Sequence, residues 1–253
     1  MTGASARVGW VTARRNIPPT ARGRRWWSAQ DKEHAMGKVR VASFSISIDG
    51  YGAGPRQDLQ NPLGVRGMEL HQWVFSTDFF QRMHGGQPGG EFGRDNDLAT
   101  EAMSGIGAWI LGRNMFGPVR GPWPDESWQG WWGDTPPYHV PVFVLTHHPR
   151  PPLAMAGGTT FHFVSDPHEA LERARAAAGD LDVRIGGGVA TVRHYLQVGA
   201  IDEMHLAISP VVLGTGEHLS TGLDLSQLGF TVTRTVHGEK ATHVVLSRTS
   251  LGT

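Results

Sequence analysis

Three consecutive glycines, Gly186, Gly187 and Gly188, are the residues of this sequence best suited to hold a phosphorylated ligand. They follow a short apolar run and precede a helical pattern that begins at Val189 and ends near Gly199, where a left-handed cap is expected. Glycines lack a Cβ atom, so backbone N–H groups can approach a ligand closely, and the positive end of a helix dipole favours a phosphate. The spacing therefore predicts a diphosphate site at the start of a helix.

Two other phosphate motifs fit the same region less well. The Rossmann fingerprint needs Gly-x-Gly-x-x-Gly after a first strand, but Thr191 stands at the third glycine position, late in the chain. A P-loop needs Gly-Lys followed by Ser or Thr, and no Gly-Lys pair here is followed by either. An ordinary tight turn is the structural alternative for a glycine run that stands alone.

The glycines do not stand alone, because the whole stretch from residue 183 to residue 216 resembles a known family. It is similar to the C-terminal reductase domain of the bifunctional riboflavin-biosynthesis deaminase-reductase, a relative of dihydrofolate reductase. In that family a Gly-Gly-Gly before a helix meets the dinucleotide. The next strand opens with Ile-Asp-Glu and closes with Pro-Val-Val-Leu-Gly-x-Gly, as residues 201–203 and 210–216 do here.

The resemblance implies a fold, a cofactor and an activity. The fold is α/β and dihydrofolate-reductase-like, with three layers: a mixed, mostly parallel sheet flanked by helices, ending in a C-terminal antiparallel hairpin. The cofactor is NADPH, bound in part by Gly186, Gly187, Gly188 and Val189. The activity is reduction of a small heterocyclic or sugar-derived substrate, similar to that of 5-amino-6-(5-phosphoribosylamino)uracil reductase or dihydrofolate reductase.

Two further segments, residues 109–116 and 144–150, resemble cofactor-side segments of the same family. A guanidinium can grip a phosphate with two hydrogen bonds, so Arg113 together with Arg150 favours the 2′-phosphate of NADPH. The alternative for Arg113 is an ordinary surface arginine after a core strand. The residues carried over as cofactor contacts are Gly112, Arg113, Asn114, Thr146, His147 and Arg150.

Asp49 is the catalytic candidate, since residues 48–50 correspond to the Leu-Asp-Gly of the family. The resemblance places Asp49 near the nicotinamide, where it would assist proton delivery or order the loop. Asp before Gly is also a common turn signal, which leaves a purely structural role equally open. The carboxylate that dihydrofolate reductase carries on its first helix has three possible counterparts here, Asp58, Glu69 and Asp78.

The loop 121–133 concentrates four tryptophans in a segment too rich in Pro and Gly to be a helix. Together with Trp73 they would wall a flat, aromatic substrate pocket, and we take Trp73 and Trp123 as its candidates. The alternative is that the tryptophans anchor the loop or build an oligomer interface. The segment 62–75 departs from the substrate segments of the riboflavin enzyme, and the resemblance therefore leaves the substrate open.

Composition excludes several classes of function. The 253 residues carry a formal net charge of zero, so a basic nucleic-acid groove is not expected. No apolar run approaches the ~20 residues that span a bilayer. The absence of cysteine excludes disulfides, thiolate catalysis and the zinc deaminase half of the bifunctional enzyme, which needs Pro-Cys-x-x-Cys. The 13 histidines form no His-Glu-x-x-His, and no metal is predicted.

Residues 1–36 differ from the rest, with six arginines, no acidic residue before Asp31 and a Pro-Pro pair. This composition predicts a disordered basic N-terminal extension, with a transit peptide or a nucleic-acid arm as alternatives. The reductase domain is then residues 37–253. For this domain the resemblance implies a cytoplasmic homodimer that acts on a small molecule.

The elements that must position these residues follow from periodicity. Bulky residues at 42, 44, 46 and 48 alternate with Ser43, Ser45 and Ser47, which predicts a central strand with a small-residue face beside a ligand. Asp166 is the expected N-cap of a helix over 167–178, with Glu169 placed to close a capping box. The other predicted elements are a helix over 96–104, strands over 108–111, 142–146 and 160–164, and a hairpin of 230–236 with 242–247.

Two rival functions remain at this point. One is a reductase of the same fold that uses a flavin or deazaflavin. The other is a non-catalytic nucleotide-binding protein that keeps the pocket without turnover.

Overall fold

The computed structural model describes residues 37–85, 88–117 and 121–249, and the predicted disordered extension 1–36 lies outside the described residues. The strands are β1 (Val39–Ser47), β2 (Tyr51–Ala53), β3 (Ile106–Gly112), β4 (Pro141–Leu145), β5 (Leu153–Ala154), β6 (Thr160–Val164), β7 (Asp182–Gly187), β8 (Glu203–Ser209), β9 (Glu217–His218), β10 (Phe230–His237) and β11 (Thr242–Arg248). The helices are α1 (Gln72–Phe75), α2 (Asp78–Met83), α3 (Arg94–Met103), α4 (Arg113–Phe116), α5 (Pro167–Ala178) and α6 (Val189–Gln197).

One mixed sheet organises the described residues, with strand order β10-β11-β8-β1-β7-β3-β4-β6-β5. Every neighbouring pair from β8 to β6 is parallel, whereas β10, β11 and β5 join antiparallel. Parallel strands end at the same edge of a sheet, and ligands of such folds bind outside that edge. The carboxyl ends of β1, β7, β3 and β4 therefore meet where the site was predicted.

Alternating side chains of β3 divide the core between the two faces of the sheet. Ala108 and Ile110 pack with buried residues of α5 and α6 on one face. Trp109 and Leu111 face the other side, where they pack with Tyr138. Helices α1 to α3 and the loop 121–139 cover this second face. The three-layer α/β fold with a C-terminal antiparallel hairpin is confirmed.

A bulge in β1 changes which residues share a face. The pairing of β1 with β8 shifts between Val41 and Phe44, and Ser43 has a φ of 50°. Val41 and Phe44 consequently both lie on the α5 and α6 side, although three positions separate them. The predicted alternation is therefore correct for Phe44 and Ile46, but Ala42 is misplaced because an extra residue is inserted, and Ile48 lies after the end of β1 and is exposed.

Helix α5 begins and ends at the predicted residues, and its first turn shows how its N-terminus is capped. The Asp166 carboxylate accepts a hydrogen bond from the backbone N–H of His168 at 2.9 Å. The predicted capping-box partner does not turn back toward Asp166: the Glu169 carboxylate pairs with Arg173 at 3.0 Å instead. The capping box is therefore wrong, and Asp166 caps the helix by itself.

We expect Asp166→Ala to lower the free energy of unfolding by about 1 kcal/mol, because it leaves a first-turn N–H without its acceptor. Glu169→Ala is the matched control in the same turn and should cause a clearly smaller loss, since it removes only an exposed ion pair. Urea unfolding followed by circular dichroism measures both. Equal losses for the two variants would contradict the single-cap interpretation.

Candidate functional site

A cavity of about 380 Å³ lies between the second face of the sheet and the layer that covers it. Ser43 and Ser45 of β1, Trp109 of β3, and Arg184 and Gly186 of β7 form its floor. The predicted small-residue face of β1 thus does lie beside a cavity. The covering wall comes from α1, α2, α3 and the loop 121–139, through Trp73, Val74, Phe75, Phe79, Phe80, Met83, Ala99, Met103, Trp131, Trp132, Pro137 and Tyr138.

A second, smaller cavity of about 90 Å³ adjoins the first at the glycine run. Residues 186–189 line it, together with Phe44, Gln57 and Met115. Several residues form walls of both cavities, so the two spaces are adjacent. These shared residues are Ser43, Ser45, Pro62, Leu63, His71, Asn114, Met115 and Gly186.

The glycine run changes from strand to helix inside this smaller cavity. Gly186 and Gly187 still belong to β7, and only Gly188 caps α6, so the predicted helix begins after the third glycine. Gly187 has a φ of 130°, and a Cβ there would lie 3.4 Å from Phe44 and 3.5 Å from Met115. A Cβ on Gly188 would meet nothing within 4 Å. The peptide bond between Gly187 and Gly188 is cis.

Gly112 brings the end of β3 against the start of α6. A Cβ on Gly112 would lie 2.6 Å from the Thr191 hydroxyl oxygen and 3.1 Å from the backbone nitrogen of Gly188. Such approaches are too close for a side chain, so this contact requires glycine. The structure therefore brings together two of the predicted cofactor segments.

The third predicted cofactor segment lies beside them. The guanidinium carbon of Arg113 is 3.7 Å from the ring centroid of Trp123, and that of Arg150 is 4.7 Å from the same ring. Arg113 also donates to the Thr146 hydroxyl at 3.3 Å. Burial lowers the pKa of Arg150, and the charge of Glu126 opposes this shift. Two guanidinium groups thus flank one indole ring close to Thr146.

The two predicted pocket tryptophans lie in different places. Trp73 is buried and lines the larger cavity. Trp123 is not among the described residues that line either cavity; its indole N–H donates to the carbonyl oxygen of His148. Trp128 anchors the loop through the carbonyl oxygen of Phe116, whereas Trp131 lines the cavity. Both interpretations of the tryptophan loop therefore apply, each to different residues.

Two other predicted cofactor contacts differ in their surroundings. Asn114 lines both cavities, and its side-chain amide donates to the Gln57 side-chain carbonyl oxygen. The Asn114 backbone carbonyl accepts from the indole of Trp131 at 3.2 Å. His147 is exposed on the turn after β4 and is not among the residues that line either cavity.

Asp49 holds a loop rather than facing a cavity. Its carboxylate accepts the backbone N–H groups of Leu213 and Gly214, at 3.1 and 2.7 Å. A hydrogen bond from Ser47 and these backbone groups lower the pKa of Asp49 to about 2. The carboxylate is therefore ionised at neutral pH and ties β1 to the segment after β8. The catalytic role of Asp49 stays a prediction, and these contacts favour its loop-ordering alternative.

A buried chain of hydrogen bonds connects the floor of the larger cavity, at Ser43, to Asp95 of α3. The backbone N–H of Ser43 donates to His205 Nδ1 at 3.3 Å, His205 Nε2 lies 2.9 Å from His243 Nδ1, and His243 Nε2 lies 2.8 Å from the Asp95 carboxylate. The first donor fixes the direction of the whole chain, with both imidazoles neutral and the carboxylate as the final acceptor. Trp73 packs edge-on against His243, with ring centroids 4.9 Å apart.

His71 lies where the two cavities meet. Its Nδ1 is buried and has no hydrogen-bond partner among the described residues. Burial lowers the pKa of His71 to about 4, with the Gly67 carbonyl opposing the shift. At neutral pH, His71 therefore presents an uncharged imidazole to both cavities.

No sequence motif marks several residues of this site, namely His71, Tyr138, Arg184 and His205. They come from separate elements, and only folding places them together. A charged residue inside an apolar strand, as in Val183-Arg184-Ile185, was the one available signal. Within the described residues, no helix is long and apolar enough to cross a membrane. The same part of the chain holds no group of three His, Cys, Asp or Glu side chains placed to bind a metal ion.

Comparisons with known proteins agree with this architecture. The model of the RibD C-terminal domain matches residues 38–245. A structure from Shewanella sp. PV-4, described as a riboflavin biosynthesis protein, is similar at 20% identity and a TM-score of 0.51, over 85% of this chain and 99% of that chain. At this identity the similarity shows the fold. A search of curated proteins finds no match.

Two further structures are similar at lower scores. One is the diaminohydroxyphosphoribosylaminopyrimidine deaminase/5-amino-6-(5-phosphoribosylamino)uracil reductase of Thermotoga maritima, with 12% identity and a TM-score of 0.46, over 85% of this chain and 57% of that chain. The other is dihydrofolate reductase from Enterococcus faecalis complexed with NADP(H), with 17% identity and a TM-score of 0.41, over 85% of this chain and 98% of that chain.

The buried histidines predict how stability depends on pH. Burial lowers the pKa of His71 to about 4 and of His205 to about 3. As the pH falls, the unfolded chain therefore protonates these two histidines near their usual pKa of 6.5, at a higher pH than the folded protein does. Their contribution to stability is thus complete above about pH 6.5 and falls as the pH falls toward 4, by at most about 1.4 kcal/mol per pH unit for each group. Urea unfolding at a series of pH values measures this slope. His71→Gln should reduce the slope, and an unchanged slope would contradict the assignment.

Proposed function

The chain belongs to the RibD C-terminal domain family, and on that premise we propose that it is an NADPH-dependent reductase of a small heterocyclic or sugar-derived substrate. The observation that carries the proposal is the adjacency of the two cavities. A glycine-lined space at the start of α6 shares lining residues with a larger aromatic space. A nicotinamide ring in the first space and a substrate ring in the second would lie next to each other.

The diphosphate of the cofactor fits the start of α6. The first-turn N–H groups of a helix have no partners within the helix, and the dipole adds positive potential there. Gly188 leaves the space beside these groups open, because a Cβ at this position would meet no other atom within 4 Å. Any side chain on Gly187 would enter the smaller cavity between Phe44 and Met115. Glycine at both positions thus keeps a cradle clear for a ligand.

The adenosine side of NADPH fits the arginine pair. Arg113 and Arg150 stack on Trp123, and Thr146 adds a hydroxyl group. Arg150 Nη1 is buried and has no hydrogen-bond partner among the described residues, whereas Nη2 donates to the carbonyl oxygen of Trp128 at 2.6 Å. A phosphate would complete the hydrogen bonds of this group and offset two like charges. This favours NADPH over NADH.

NADPH supplies the hydride when bound, and the protein supplies position and surroundings. The aromatic wall excludes water from the larger cavity, which strengthens the polar contacts that remain. Ser43, Ser45 and Asn114 are polar groups at the boundary of the two cavities. We expect the uncharged His71, whose Nδ1 has no hydrogen-bond partner among the described residues, to hydrogen-bond the reacting group there. The homodimer and the cytoplasmic location expected from the resemblance stay predictions.

Gly188→Asp tests the diphosphate site. We expect NADPH affinity to fall about tenfold or more, because the new carboxylate meets the phosphates. The fold should be retained, since Asp is a favoured N-cap residue and the position has extended backbone angles (φ −73°, ψ −169°). Gly188→Asn is the matched control of equal size without the charge and should lose less affinity. Quenching of tryptophan fluorescence measures binding, and unchanged affinity of the Asp variant would refute the site.

Arg150→Met tests the preference for NADPH. We expect a roughly tenfold loss of NADPH affinity with little change for NADH, because one charged hydrogen bond to the 2′-phosphate is removed. Arg173→Met is the control: Arg173 stacks on Phe143, a residue of the α5 and α6 side of the sheet. An equal loss for both nucleotides would argue against a 2′-phosphate contact. Binding of neither nucleotide, with visible absorbance of the purified protein, would favour the flavin-type reductase.

A further inference from the structure

Arg184 brings a buried positive charge to the floor of the larger cavity. The side chain is only 8% exposed, and its Nη1 and Nη2 donate to the carbonyl oxygens of Ala102 and Ala42, at 3.0 and 2.6 Å. Its guanidinium carbon lies 4.2 Å from the ring centroid of Trp109. Nε has no hydrogen-bond partner among the described residues. Neutral carbonyls and a ring face therefore surround a charge that normally requires an anion when buried.

A second arginine, Arg40, acts on Arg184. Burial and the charge of Arg40 together lower the pKa of Arg184 to about 9, and Tyr138 opposes this shift. The group is still protonated at neutral pH. Arg40 has its own carboxylate partner, Asp182, at 2.7 Å, whereas no ion pair joins Arg184 to any described residue. An anion entering the cavity would therefore supply the missing charge.

Tyr138 adds a second donor to the same cavity. Burial raises the pKa of Tyr138 above its usual range, and a hydrogen bond from Trp132 and the charge of Arg184 oppose the rise. The Trp132 indole N–H is thus directed at the Tyr138 oxygen, and the Tyr138 hydroxyl proton has no acceptor among the described residues. Tyr138 packs edge-on against Trp109, with ring centroids 4.9 Å apart, so Trp109 contacts both Tyr138 and Arg184. Two donors thus lie against one indole ring.

The remaining walls define what the donors would hold in place. Aromatic and methionine side chains form most of the surface, and none of the described lining residues is Asp or Glu. The described walls therefore carry no carboxylate that could accept hydrogen bonds from the amino groups of a substituted ring. The volume of about 380 Å³ falls in the range of small-molecule sites.

We infer that the substrate is a flat aromatic molecule that bears a carboxylate, and that Arg184 and Tyr138 bind this carboxylate inside the larger cavity, with Trp132 orienting the Tyr138 hydroxyl. The inference rests on the proposed function and deepens it by naming the substrate class. The carboxylate completes the hydrogen bonds of both donors and neutralises the guanidinium. The ring then lies among the aromatic walls, with its far side toward the smaller cavity.

Calorimetric titration of the full-length protein with three matched probes tests the inference. The probes are 2-naphthoate, the neutral 2-naphthamide and the cationic 2-naphthylmethylammonium, which share one ring system. We expect 2-naphthoate to bind about tenfold tighter than the amide, and the ammonium to bind most weakly. Equal affinity of the acid and the amide, tightest binding of the ammonium, or no binding of 2-naphthoate at millimolar concentration overturns the inference.

Tyr138→Phe separates binding from folding. We expect it to weaken 2-naphthoate binding about fivefold to tenfold, because the hydroxyl donor to the carboxylate is removed. A cooperative thermal transition of the variant shows that the protein is still folded. Tyr195→Phe is the matched control on the opposite face of the sheet, where the hydroxyl donates to the Pro167 carbonyl oxygen. It should leave 2-naphthoate affinity unchanged. Unchanged affinity in Tyr138→Phe would overturn the assignment of this residue and the binding mode with it.

Titration with NADPH in parallel keeps the two proposals distinguishable. Loss of 2-naphthoate selectivity with normal NADPH binding overturns the carboxylate inference alone. Absence of NADPH binding with selective 2-naphthoate binding overturns the proposed cofactor and supports the anion site. Arg184→Gln is a second variant for the same titration, and we expect it to lose the preference for 2-naphthoate over 2-naphthamide.

Discussion

The close contact between the end of β3 and the start of α6 is the constraint on which the site depends. Gly112 can lie against Gly188 and Thr191 only because it has no side chain. This contact places the arginine-bearing segment beside the glycine run and leaves the start of α6 open. A bulkier residue at Gly112 would separate β3 from α6, and the predicted cofactor segments would no longer share one edge of the sheet.

Charge is distributed unevenly over the two ends of the site. Arg113 and Arg150 follow β3 and β4 and stack on Trp123. Arg184 is sealed beneath an aromatic wall, where its charge is far less screened by solvent. Between these ends His71 is held uncharged by burial. The arrangement is suited to a ligand pair that carries negative charge at both ends and a neutral reacting centre between them.

The buried chain from Asp95 to Ser43 gives this floor its rigidity. Each imidazole in it has one donor and one acceptor satisfied, so the bulge of β1 is held in one conformation. The bulge brings Val41 to the same side of the sheet as Phe44, while Ser43 and Ser45 line the cavity on the other side. Trp73 connects the covering layer to the floor through a 2.9 Å hydrogen bond to Ser45. Cavity shape and sheet geometry are thus coupled.

The sequence alone determined the fold class, most element boundaries and the place of the glycine run between β7 and α6, because periodicity and contiguous motifs record local structure. Strand β6 and helix α5 begin and end where the pattern placed them. Only the tertiary structure decided that Trp73 lines the cavity while Trp123 stacks on arginines, and that Arg184 meets Tyr138. The physical reason is that a β-bulge and the packing of distant segments set which side chains face one another, and neither leaves a periodic signal in the chain.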